Sequence, residues 1–143
     1  MGSRRTWALT ACGLLALAAN ASCGLVAGAQ QRVRFASPSD GSIVASPFRV
    51  EMRAEGLKVE AATVPHHPGA GHFHVIVDRP CFHAGAFIEM HTEGFEHYGG
   101  GETSAWLTLP PGEHTLCLQL ADGVHRALAP TDTITVTVAP SPY

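Results

Sequence analysis

Alternation of period two recurs along the chain and constrains its fold more than any other feature. Phe48, Val50, Met52 and Ala54 alternate with Arg49, Glu51 and Arg53, as in a strand with one face on a core and the other in water. Ile134, Val136 and Val138 alternate with threonines, Leu116, Leu118 and Leu120 with Thr115, Cys117 and Gln119, and Ala105, Leu107 and Leu109 do the same within residues 104–109. Two further strands are expected over Val33–Ala36 and Gly71–Asp78, the second apolar enough to be central. Pro38-Ser39-Asp40-Gly41, Pro110-Pro111-Gly112 and Asp122-Gly123 supply the backbone angles that tight reversals require, and no segment has the pattern of an amphipathic helix. The expected fold is all-β: an immunoglobulin-like antiparallel sandwich of about six or seven strands.

The 143 residues, 45% of them hydrophobic, suit one core and not two. Nine Lys and Arg stand against twelve Asp and Glu. That balance removes the basic footprint of a nucleic-acid binder.

Residues 1–29 read as a signal peptide: Arg4 and Arg5, an apolar stretch from Trp7 to Ala19 that weakens toward Val26, then Ala27-Gly28-Ala29. Cleavage after Ala29 leaves a single domain over residues 30–143, with Ala19-Asn20-Ala21 as the alternative site. Ser3-Arg4-Arg5 resembles a twin-arginine signal, but Trp7-Ala8-Leu9 follows where Phe-Leu-Lys is usual, which favours the general secretory route. Cys23 follows Asn20-Ala21-Ser22, whereas lipidation wants an aliphatic residue at position 20, so a lipoprotein is the lesser reading. No second apolar span follows, so no transmembrane anchor is expected after cleavage, and the domain belongs in the periplasm or outside the cell. Cleavage takes Cys12 and Cys23 with the leader and leaves Cys81 and Cys117. Cys81 follows the His72 strand and Cys117 lies on a strand expected beside it, so the two are expected to form a disulfide.

Between Asp78 and Ser104 runs a long connection with at most one short strand, expected around Ala86–Met90. Connections of that length in small domains tend to be functional. This one holds Cys81, His83, His91 and His97, with Glu89, Glu93 and Glu96.

Nine histidines are many for a small chain. His72 and His74, one residue apart on a strand, project from the same face while Phe73, Val75 and Val77 take the other. Zinc or copper needs at least one more N, S or O donor, normally from another segment. His66 and His67 precede this strand, His91 and His97 lie in the long connection, and His114 and His125 flank the penultimate strand. In an immunoglobulin-like order that strand pairs with the His72 strand, which is expected to bring His114 or Cys117 close. Taken singly, each histidine reads more simply as a surface residue or a loop strut.

Other chemistries fit less well. A blue-copper site wants His and then Met soon after its cysteine, but Cys117 is followed by His125 and no methionine. There is no G-x-S-x-G elbow, and Gly99-Gly100-Gly101 precedes a strand, not a phosphate-cradling helix.

Three ordered motifs are similar to those of an exported bacterial family, the domain of unknown function family 4399. They read Gly71-His72-Phe73-His74-Val75-Ile76-Val77-Asp78, His97-Tyr98-Gly99-Gly100-Gly101-Glu102-Thr103, and Leu109-Pro110-Pro111-Gly112-Glu113-His114-Thr115-Leu116, within a match over residues 37–138. The resemblance implies that His72, His74, His97 and His114 share one site, and that His125 corresponds to the first histidine of the family's later H-x-P-H segment. Phe73 stands where the family has a middle histidine, and the second histidine of the last segment is missing near Ala127.

The reading that follows is an exported domain that binds zinc or copper through His72, His74, His97 and His114, with His66, His67, His91 and His125 as secondary ligands. A non-catalytic module that binds an envelope protein, with histidines ordering the long connection, is the alternative. A metal-dependent hydrolase, with Glu89, Glu93 or Glu102 as base, is a third.

Overall fold

The computed structural model describes residues 30–62, 65 and 67–141. The expected leader, with Cys12 and Cys23, and His66 lie outside these residues. Among the described residues there are nine strands and no helix: β1 (Arg32–Ser37), β2 (Ser42–Val44), β3 (Phe48–Glu55), β4 (Lys58–Val59), β5 (Ala70–Val77), β6 (Phe95–Tyr98), β7 (Ser104–Leu107), β8 (Gly112–Ala121) and β9 (Ala127–Val138).

They form a sandwich of a three-stranded sheet, β1-β3-β7, and a six-stranded sheet in the order β2-β9-β8-β5-β4, with β6 also paired to β5. Every expected strand with clear alternation is present. The three additional ones, β2, β4 and β6, are two to four residues long, too short to show a period. The short strand expected around Ala86–Met90 is corrected to a single bridge, Phe87 to Arg126, and the real strand of the long connection is β6. β6 forms because Val77 N–H donates to the Gly94 carbonyl at 2.7 Å, with Gly94 at φ 81°, so the chain reverses and runs back along β5.

The residues expected to face the core do so. Val33, Phe35, Val50, Met52 and Leu107 of the small sheet meet Phe73, Val75, Leu118, Leu120 and Val136 of the large one. Each such side chain, fully buried, contributes roughly 1.5–3 kcal/mol.

The large sheet is also covered on its outer face, so all eight residues of β5 are buried. The connection before β6 lies over that face. Cys81 and Cys117 form the expected disulfide, with Cα atoms 5.6 Å apart. Buried Gln119 donates to the Phe82 and Leu128 carbonyls at 2.9 Å and accepts from Phe82 N–H at 3.0 Å, so every polar atom of its amide that faces the connection is satisfied. Ile88, Ala121 and Ala127 form a second small core there, with Phe82 packed against it.

Candidate metal centre

β5, β6 and β8 fix the positions of the histidines through their registers. His74 lies directly opposite His97 on β6 and opposite Gln119 on β8, while His72 lies opposite Ala121, the last residue of β8. Directly opposed residues share a face, so His72, His74 and His97 all point to the outer side of the large sheet.

The fourth histidine comes from the turn after β8. Asp122 builds that turn, its Oδ1 accepting from the N–H groups of Val124 and Arg126 at 2.9 Å each. His125 takes the left-handed conformation there, at φ 62°, which carries its ring back over the sheet edge. A non-glycine residue held in that region is uncommon and concentrates at functional sites.

One ring nitrogen from each of His72, His74, His97 and His125 lies within 4.8 Å of the other three, a set that can hold a metal ion. His72 Nε2 and His74 Nε2 are 3.0 Å apart, and His97 Nε2 and His125 Nε2 are 3.1 Å apart. In a tetrahedral zinc site the nitrogens are separated by about 3.3 Å, from Zn–N bonds of roughly 2.05 Å. The Nδ1 atoms of His72 and His74 are buried without a hydrogen-bond partner among the described residues.

Gly99 makes room for the third ring. A Cβ at that position would lie 2.7 Å from His97 Nε2, so the imidazole occupies the space a side chain would fill. Gly71 serves the backbone instead, since a Cβ there would strike the Ala121 carbonyl across the β5–β8 ladder.

His72, His74 and His97 are placed where the neutral ring is favoured. Burial, followed by the nearness of His125 and His97, lowers His72 from 6.5 to about 4, against the opposing pull of Asp122 and Glu102. Burial, followed by His72, lowers His74 to about 3. His97 is also lowered, first by burial and then by His125, with Glu102 opposing and His91 adding to the fall. Neutral imidazoles present lone pairs, the form a metal takes. Two of the four rings are buried, while His97 is exposed and His125 half-buried, so one side of the cluster is open to solvent.

His114 does not join this set. β5 and β8 are antiparallel with Val77 opposite Leu116, so His114 lies beyond the far end of β5, about 24 Å along β8 from Ala121. Its two nitrogens both face acceptors as well: Nδ1 lies 2.8 Å from Asp78 Oδ2 and Nε2 lies 2.9 Å from the Pro110 carbonyl. Burial disfavours its imidazolium, but these two acceptors outweigh that and raise its pKa above the usual 6.5. With each nitrogen directed at an oxygen acceptor, neither is turned toward the cluster to ligate a metal. Cys117 is likewise unavailable, being in the disulfide.

Of the secondary candidates among the described residues, which exclude His66, only His125 enters the cluster. His67 Nδ1 pairs with Glu60 Oε1 at 2.7 Å, and His91 is an exposed residue at φ 65° that affects His97 only as a neighbouring charge. Glu89 accepts from the Thr92 hydroxyl at 3.3 Å, and Glu102 accepts from Gly100 N–H at 2.9 Å. The signal for His125 was present in the sequence: an antiparallel partner must bring its turn, Asp122-Gly123, to the start of the His72 strand.

A family model described as Domain of unknown function (DUF4399) matches residues 50–139. No curated protein and no solved structure matches the chain.

Proposed function

The chain belongs to the DUF4399 family, and from that premise we propose that it is an exported domain that binds one divalent transition metal, zinc or copper, through His72, His74, His97 and His125. The observation that carries this reading is the convergence of four imidazoles from three separate segments, with protonation of His72 and His74 disfavoured by burial and by the neighbouring rings. A donor set of imidazoles alone suits zinc and copper and offers no thiolate or carboxylate to select a softer or harder ion. The Cys81–Cys117 disulfide supports an oxidising compartment, in keeping with a leader over residues 1–29.

The test is elemental analysis of the full chain purified without a histidine tag, followed by calorimetric titration with zinc and copper. One ion per chain is expected. His72→Ala with His74→Ala, and His97→Ala with His125→Ala, are each expected to lose more than the roughly 10–100-fold that removal of an outer-shell partner costs. His114→Ala keeps the ion. Retention of full affinity by the His97→Ala, His125→Ala variant, or its loss in His114→Ala, would overturn the assignment.

A further inference from the structure

The outer face of the three-stranded sheet carries four arginines, interleaved with Glu51 and Glu55, in a domain that is acidic overall. Residues 30–143 hold seven Lys and Arg against twelve Asp and Glu. Four of those seven, Arg32, Arg34, Arg49 and Arg53, are exposed on the strands of the three-stranded sheet, at the positions that alternate with its buried core residues. Trp106 joins them from β7, 68% exposed and directly opposite Arg49 in register.

Fold stability accounts for part of this face, since Arg32 lies directly opposite Glu55 across the β1–β3 pair. Arg34 lies directly opposite Arg53, and like charges so placed across an antiparallel pair are destabilising. Arg34 reaches Glu55 at 3.5 Å, and Arg49 reaches Glu51 at 3.8 Å and donates to the Ser104 hydroxyl at 2.9 Å. Arg32 and Arg53 form no ion pair among the described residues.

We infer that this face binds an acidic polysaccharide, with Trp106 stacked on a sugar ring and the arginine forks on its carboxylates. Planar guanidinium groups recognise carboxylates in bidentate fashion, and an exposed indole on a flat sheet offers an apolar platform with little ordering cost. The strip from Arg49 to Arg53 runs about 14 Å along β3, long enough for several charged groups in a row. An anionic bilayer fits less well: its headgroups form a continuous negative plane that would press on the interleaved Glu51 and Glu55, whereas the carboxylates of a single polysaccharide strand are discrete and can fall on the arginines between them. The inference does not depend on the histidine cluster, which lies on the outer face of the other sheet.

The chain has two tryptophans, Trp7 and Trp106, so in a Trp7→Phe background Trp106 alone reports. Titration with polygalacturonate at low salt is expected to change its fluorescence, an effect weakened by added salt as the Debye length shortens. In that background Arg34→Gln with Arg53→Gln should weaken binding on the order of tenfold or more, while its thermal midpoint holds or rises because the opposed charges are gone. Trp106→Ala, followed by calorimetry, should weaken binding with the fold intact, and His97→Ala should leave it unchanged. Neutral dextran should not bind. The inference is overturned by no response to polygalacturonate, by equal affinity in the double arginine variant, by equal binding of dextran, or by binding to phosphatidylglycerol vesicles alone.

Discussion

Acidifying the metal-free protein should destabilise it through His72 and His74, by an amount that can be worked from their surroundings. In the unfolded chain both imidazoles titrate near 6.5, whereas the folded chain holds them at about 4 and about 3. Both folded values lie below the unfolded one, so the stability these residues permit is complete above about pH 6.5 and is lost as pH falls toward the folded values. At pH 5 the unfolded chain has taken up both protons and the folded chain has not. Each imidazole is then about 1.5 pH units past its unfolded midpoint, which corresponds to about 2 kcal/mol apiece and about 4 kcal/mol for the pair. This result needs only that the folded values lie below 5, and it is a large share of the roughly 5–15 kcal/mol that holds a small domain together. Urea denaturation in the presence of a chelator, at several pH values from about 7.5 to 5, measures it. The comparison is with His72→Gln, His74→Gln, which cannot titrate there: the variant differs in absolute stability, but its pH dependence should be shallower by those 4 kcal/mol. Parallel curves for the two proteins would refute the reasoning.

Three other outcomes follow from the geometry. Gly99→Ala should reduce metal affinity roughly tenfold or more, as misplaced coordination shells do, with the metal-free thermal midpoint unchanged, because the new Cβ meets only the His97 ring and not backbone; calorimetry and thermal melts separate the two effects. His114 has the opposite sign from the cluster, since its raised folded pKa gives stability that is present below about 6.5 and lost as pH rises through the folded value. His114→Gln should therefore cost about 1–2 kcal/mol in weak acid and less near pH 9, read by urea denaturation at both. Reducing Cys81–Cys117, which are 36 residues apart, should lower stability by about 4 kcal/mol, measured with and without a thiol reductant.

The long strands were legible because each buries one face, which writes a period of two into β3, β7, β8 and β9. β5 was legible for a different reason: it is buried on both faces, so it reads as a nearly unbroken apolar run apart from its two histidines. β6 escaped notice because Phe95, Glu96, His97 and Tyr98 are too few to show alternation, and its pairing depends on the reversal at Gly94. His72, His74 and His97 were singled out from spacing and resemblance, and the structure brings them together. Adjacency of β5 and β8 alone does not distinguish His114 from His125; the direction of pairing does. Antiparallel pairing sends one end of β8 to His72 and the other, with His114, to Asp78.

The four histidines draw on parts of the molecule with very different local stability. β5 is hydrogen-bonded on both edges and buried on both faces, so its amides should exchange with solvent only when the whole domain opens. β6 is a four-residue strand with β5 as its sole partner among the described residues, and His125 sits half-buried in the turn after β8. Their amides should exchange through small local openings that leave β5 closed. Within one cluster, then, His72 and His74 are fixed in a strand expected to exchange slowly, while His97 and His125 belong to segments expected to open locally. A ligand drawing all four nitrogens together should slow deuterium uptake across residues 95–98 and 122–126 and leave residues 70–77 as they were.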